Sequence, residues 1–574
     1  MGMIGYFAEI DSEKIIITIV SIALALVSCT EGFEEMNTNP NQLSDVNPEY
    51  LLNTSVFNTL KASCGGIKKN LLDNYVQYCY GQTNQMGRYG DIPTSNSEYF
   101  KAFYNYALLP LHFIEDKYQN AEEYHNRVVV ARIWKYYVFS QVAAMWGPIP
   151  MTESLKGTTS VPYDDEPTIY KNILDGLKEC AEAIDYEADT YLHDPVFALS
   201  DGKSDLVKWV RFANSLRLRI AVRICNADKS LATLHIADVM QNESLLMGSN
   251  ADNCIVKWGD NEATRNYYYD YFIIQTTNLD KANSAGESFL MYTAPYKDPR
   301  LEKFFTPCTS AQMPEDFHWA PYWGKPKTDH TPVSGLLDSS NPHAGVPATA
   351  YSVMLDSYFQ MDYAQTIMSY AEVCLLKAEL THLGLGTGER QTEDYYYEGI
   401  RASMNQFGVT DEASVTEYLN VDGIDYDTFT DIEQTPEGEK YFMDYLGLCS
   451  SAIKDDGTDH IYTQIIMQQY IAMFNQDMDA WILLRRSQCL DMVPHYQPEL
   501  GYGAVNAGSN EVEFSYVPMR LKYPSSELKD NAEENAKGIA MLSNGVDAID
   551  TPLWWAKPQR INKNLQQLVD NYNK

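Results

Sequence analysis

The 574-residue chain is poor in positive charge, with 43 Lys and Arg against 78 Asp and Glu and a net charge of -35. No Lys/Arg cluster interrupts that excess, so nucleic acid and polyanionic ligands are not expected partners, because a phosphate or sulfate backbone would be repelled. CxxC pairs are also missing. The ten cysteines lie at wide, irregular spacings, and Cys225, Cys374 and Cys489 fall in apolar periodic segments where a thiol acts as a small hydrophobe. Few or no disulfides are expected. HExxH, GxSxG and GxxxxGK are absent and the ten histidines are scattered singly, so the common metalloprotease, serine-hydrolase and P-loop chemistries have no foothold. Nothing among the 78 acidic residues selects the carboxylate pair that a glycosidase needs. No catalytic residue is assigned, and the chain is read as a non-enzyme.

Long apolar runs are equally scarce. The clearest is Ile15 to Val27, thirteen apolar or small residues, short of the roughly 20 that span a bilayer. Lys14 flanks it and Ser28-Cys29 follows, so it reads as a cleaved export signal. Leu26-Val27-Ser28-Cys29 resembles the bacterial lipobox, which implies lipidation of Cys29 and a membrane anchor in which each buried methylene contributes about 0.8 kcal/mol. Glu9, Asp11 and Glu13 depart from a positively charged leader, and the expected start lies nearer Lys14.

The content that is present describes a large helical protein. Hydrophobic residues make up 45% of the chain, enough for a sizeable core, and tyrosine is the outlier at 42 copies. Apolar spacing predicts a widely buried helix through Val130, Trp134, Val138, Val142 and Met145, ended by Gly147-Pro148. A second runs through Trp209, Phe212, Leu216, Ile220 and Ile224, with Asn214, Arg217 and Arg219 on its other faces. Tyr370 to Leu383, stopped by Gly384, and Tyr397 to Phe407 form a helical hairpin of the tetratricopeptide kind, and one further helix is predicted from about Ile465 to Leu484. Strand-like pieces, such as Glu511 to Val517, are short and few.

Several segments carry a family resemblance. CTEGFEEMNTNPNQ, ARIWKYYVFSQVAAMWGPIPMTES, VKWVRFANSLRLRIAVRI, YKDPRLEKFF, IMSYAEVCLLKAEL, QQYIAMFNQDMDAWILLRRS and VPMRLKYPSSE, in that order, resemble the SusD/RagB family. The resemblance implies a mostly α fold, with tetratricopeptide-like helix-turn-helix repeats as scaffold and a loop-rich ligand-binding region. It implies a signal peptide at 1–28, a lipidated tether at 29–50 and a nutrient-binding domain at 51–574. It further implies a surface lipoprotein of the outer membrane that binds oligosaccharide and passes it to a SusC-like TonB-dependent transporter. Glu31, Glu34 and Glu35 after Cys29 resemble the signal that sends such lipoproteins to the cell exterior. A peptide or glycopeptide ligand is the alternative, and an extracellular glycosidase the weaker one.

Sugar binding without chemistry calls for aromatic rings that stack on C–H faces and for amides or carboxylates that accept hydroxyl protons, carried on loops. Three stretches fit. QTNQMGRY offers Asn84, Arg88 and Tyr89; NYYYDY offers Tyr269, Asp270 and Tyr271; FHWAPYW offers Phe317, Trp319, Tyr322 and Trp323. The competing reading of the last two is local hydrophobic packing that pins a loop. Arg217, Arg219, Arg485 and Arg486, within the signature helices, are expected to pair with internal carboxylates or cap helix ends. Asp422, Asp425 and Asp427 crowd one acidic segment, a weak candidate for structural calcium that lacks the EF-hand spacing; the alternative is a solvated loop. No other cofactor is expected.

Overall fold

Acidic side chains cap several of the helices. Asp165, Asp205, Asp228, Asp411 and Asp459 each accept the backbone N–H three residues on, at 2.8–3.1 Å, and Ser369 does the same for Glu372 at 3.2 Å. Each such cap is worth about 1 kcal/mol and places part of the negative charge at the positive end of a helix. The computed structural model in which these contacts occur describes residues 46–80, 93–158, 160–270, 273, 283–309, 311, 313, 320–325, 350–386, 389–426, 459–490, 492 and 517–558. The chain divides after Leu51 into a short amino-terminal unit and a large unit, residues 52–574, to which everything below refers.

The helices of the large unit are α1 (Pro93–Lys101), α2 (Leu109–Tyr118), α3 (His125–Trp146), α4 (Glu166–Ala183), α5 (Leu206–Ile224) and α6 (Lys229–Gln241), then α7 (Tyr370–His382), α8 (Thr392–Gln406), α9 (Glu412–Leu419), α10 (His460–Ala472), α11 (Asp477–Ser487), α12 (Ser525–Asp530) and α13 (Ala532–Ala540). Two wider, π-type segments, Lys61–Leu72 and Ala102–Leu108, accompany them. Neighbours in sequence pack in pairs: α3 on α4, α4 on α5, α5 on α6, and α7 on α8. Trp134 and Tyr137 of α3 meet Trp209 and Phe212 of α5 with ring centroids 6.2–6.5 Å apart, which sets the core between them.

The predicted helices at Val130, Trp209 and Tyr370 are present, and Gly384 follows α7 at φ +70° as a left-handed cap. One expectation is corrected. The single helix from Ile465 to Leu484 is two, α10 and α11, broken at Met473–Gln476 where Asn475 adopts φ +65°. Asn214, Arg217 and Arg219 are buried, as is most of α5, because α7 and α11 also pack on that helix, which agrees with the expected internal pairing of the two arginines.

Strands are few and short: β1 (Cys79–Tyr80), β2 (Cys254–Lys257), β3 (Ser284–Ala285) and β4 (Ala364–Met368). They form two antiparallel pairs. Cys79 faces Ala285 and Tyr80 faces Ser284; Lys257 faces Ala364 and Cys254 faces Met368. Glu511 to Tyr516 lie outside the described residues. All eight described cysteines are free thiols.

Candidate functional site

The pair of two-residue strands is the root of the candidate loops. β1 ends at Tyr80, next to residues 81–92 with Asn84, Arg88 and Tyr89, and β3 begins just after the segment that starts at Tyr269-Asp270. The third loop joins the same ladder. Lys325 N–H donates to Ala285 O at 2.7 Å, and Glu287 N–H donates to Lys325 O at 3.1 Å. Ala285 N–H donates to Ser352 O at 2.8 Å, Ser352 N–H to Trp323 O at 2.9 Å, and Gly286 N–H to Tyr78 O at 2.9 Å. Backbone from four distant parts of the sequence is therefore tied into one knot.

Two glycines permit that closeness. A Cβ on Gly286 would lie 2.2 Å from Gln77 O, and one on Gly324 would lie 2.9 Å from Glu287 Cα, so any side chain would force the strands apart. Beneath the knot lies an aromatic layer. Tyr78 stacks on Tyr470 at 4.7 Å, Phe289 meets Tyr78 edge-on at 5.2 Å, and Phe474 touches both Phe289 and Phe304. Rings in these arrangements add to the area they bury, so the knot is fastened to α10 and to the α10–α11 break.

The candidate contact residues separate by position. Tyr322 is half-buried, whereas Trp323 is only 1% exposed and packs 4.8 Å from Tyr351. Trp323 is thus a correction: its ring pins the loop instead of offering a face to ligand. In NYYYDY the inward residues do the anchoring. Asn266 Nδ2 donates to Tyr358 O and Gln360 O at 3.0 and 3.1 Å, and Tyr268 Oη donates to Asp73 Oδ2 at 2.9 Å. Tyr269 and Asp270 remain half-buried, with Asp270 paired to Arg265 at 2.6 Å. Asn84, Arg88, Tyr89, Tyr271, Phe317, Trp319 and Asp427 lie outside the described residues, as do the signal segment and Cys29.

Charge under the loops is internal. Lys68 Nζ lies 2.6 Å from Asp73 and 2.8 Å from Asp477, all three buried. Burial works against the Lys68 ammonium, yet Asp477 and Asp73 hold its pKa above the ordinary lysine value, while burial pushes the Asp477 carboxyl up. The signature arginines are structural. Arg219 chelates Glu372 and reaches Asp479 at 3.2 Å, Arg217 binds His235 and Asp238, Arg486 binds Glu379, and Arg485 donates to Ala144 O and Met519 O. Among the described residues no group of three His, Cys, Asp or Glu could hold a metal, and Asp425 accepts from Tyr397 Oη at 2.8 Å.

A family model described as starch-binding associating with outer membrane, SusD-like, matches residues 40–524. The chain belongs to the SusD-like family. Solved structures agree in fold with this SusD-like protein. A SusD homologue from Parabacteroides distasonis matches at 21% identity and TM-score 0.69, over 90% of this chain and 100% of its own. A chitin-binding SusD homologue from Flavobacterium johnsoniae matches at 19% identity and TM-score 0.66, over 88% of this chain and 97% of its own. A SusD-like protein from Bacteroides thetaiotaomicron matches at 21% identity and TM-score 0.65, over 89% of this chain and 99% of its own. No curated protein matches the chain. At these identities the likeness establishes the mostly α, tetratricopeptide-like fold. Among the described residues no helix is long and apolar enough to cross a membrane.

Proposed function

We propose that this SusD-like protein is a lipid-anchored receptor at the outer cell surface that binds an oligosaccharide without altering it and delivers it to a SusC-like TonB-dependent transporter. The observation that supports this reading most is the knot: the stems of loops chosen for their aromatic and amide content are hydrogen-bonded to one another. A rigid root under variable loops is the arrangement expected of a binding platform. The contacts proposed for the ligand are Tyr322, Phe317 and Trp319 on one loop, Asn84, Arg88 and Tyr89 on the second, and Tyr269, Asp270 and Tyr271 on the third. Lipidation of Cys29 supplies the tether.

Titrating the purified protein with labelled oligosaccharides and, separately, with peptides tests the reading. Saturable binding of a glycan whose mass is unchanged afterwards supports it. Binding of peptides alone replaces the glycan by a peptide ligand, and appearance of shortened glycan products makes the protein an enzyme.

A further inference from the structure

A groove of about 520 Å³ lined by none of the knot's residues opens between α1 with the π-type segment that follows it, the loop after α3, and α12. Small-molecule clefts typically have volumes of about 300–1,000 Å³. Its apolar lining comes from Phe100, Tyr104, Pro150, Leu155 and Val161, and its polar lining includes Asn105, Ser526, Asp530 and Asn531.

The walls are held by hydrogen bonds between the segments. Tyr104 Oη donates to Pro150 O at 2.6 Å, and Ser526 N–H donates to Ser97 Oγ at 3.2 Å. Asn531 Nδ2 donates to Val161 O at 3.0 Å while Val161 N–H returns a bond to Asn531 Oδ1 at 3.2 Å. A ligand therefore meets a formed cleft, and little ordering is required on binding. Leu155 sits at φ +67°, a left-handed conformation that a leucine keeps only where its surroundings impose it, and such strain concentrates at ligand clamps.

Charge narrows the ligand class. Glu98, Glu527 and Asp530 line the groove against one cation, Lys101, and Glu527 already accepts from Tyr163 Oη at 2.8 Å and Asn531 Nδ2 at 3.2 Å. An anionic ligand is repelled. Apolar patches interleaved with hydroxyl, amide and carboxylate groups suit a neutral molecule that has C–H faces and many hydroxyl donors.

We propose that this groove is a second saccharide site, sharing no lining residue with the knot and sized for about one to three neutral sugar units. Only the identification of the ligand as sugar rests on the receptor reading above.

Hydrogen exchange of the full chain with maltotriose or diacetylchitobiose tests this, alongside Asn105→Trp, an exposed position where a bulky ring fills the groove. The expected result is protection of segments 97–105, 150–158 and 525–531, with affinity at this site falling about tenfold or more in Asn105→Trp. Protection confined to 81–92 and 314–325 overturns the groove and leaves the loop reading standing. Protection in the groove alone upholds the second site and removes the loop assignment. Absence of protection anywhere overturns both, and groove protection by a lysine-rich peptide alone overturns the saccharide assignment.

Discussion

Tyr470 and Tyr78 are joined twice: their rings stack at 4.7 Å, and Tyr78 Oη donates to Tyr470 O at 2.5 Å. Tyr470 Oη in turn donates to Val76 O, so β1 is fastened to α10 through side chains that are fully buried. Tyr470→Phe keeps the stack and leaves the Val76 carbonyl without that donor, at an expected cost of about 1–2 kcal/mol. A lower urea midpoint with unchanged slope is the expected result; an unchanged midpoint would show that the carbonyl has another donor.

Gly286→Ala attacks the knot itself. The new methyl would lie 2.2 Å from Gln77 O, backbone that has little room to move, so a loss of about 3 kcal/mol or more is expected. Helical circular dichroism should persist while amide exchange accelerates in 78–80 and 323–325. Equal exchange in the variant and the parent would mean that the strands separate without penalty, and the knot would lose its role as a rigid root.

Tyr322 and Trp323 are adjacent yet expected to act differently. Tyr322→Ala should weaken glycan binding with little change in melting temperature, because its ring is half-buried. Trp323→Ala empties a buried site beside Tyr351 and should cost about 3–5 kcal/mol of stability. Reversed outcomes would return Trp323 to the ligand surface.

Arg219 pairs with two buried carboxylates, Glu372 and Asp479. Arg219→Leu leaves both charges buried and should cost about 3–5 kcal/mol. Arg219→Lys should recover only part, since an ammonium does not reproduce the paired bonds of the guanidinium to Glu372. Full recovery by lysine would reduce the contact to simple charge balance.

The helices were legible because their apolar spacing extends over many residues and Gly147-Pro148 and Gly384 punctuate it. The signature arginines were also readable as internal, since a helix rich in both Arg and apolar residues has to neutralise its charge inside. The α10–α11 break was missed: Met473, Phe474 and Met478 continue an apolar pattern, and the only local signals are Asn475, which tolerates positive φ, and the Asp477-x-Asp479 start of the next helix. The knot could not be read at all. Strands of two residues carry no period, and β1 meets β3 across about two hundred residues of chain. Composition found the loops, whereas which aromatic faces outward depends on that pairing, and so Tyr322 and Trp323 looked equivalent.

Glu166 supplies a pH dependence. It begins α4 in a buried position, where one carboxylate oxygen accepts Trp554 N–H at 2.9 Å and the other has no hydrogen-bond partner. Burial pushes its pKa up to about 7 from 4.5, against the opposing effects of the Trp554 N–H and the nearby Arg520 and Arg485. The folded state therefore holds the proton more tightly than the unfolded chain. Its contribution is fully present below pH 4.5, declines as the unfolded chain ionises first, and is lost by the time the pH has risen through about 7. The integrated change is about 3 kcal/mol at most. Glu166→Gln removes it, so the variant should match the parent near pH 4.5 and be the more stable of the two at pH 8, measured as urea midpoints at each pH. Parallel pH profiles for the two proteins would place the Glu166 proton on solvent-like terms and remove this carboxyl as a source of the dependence.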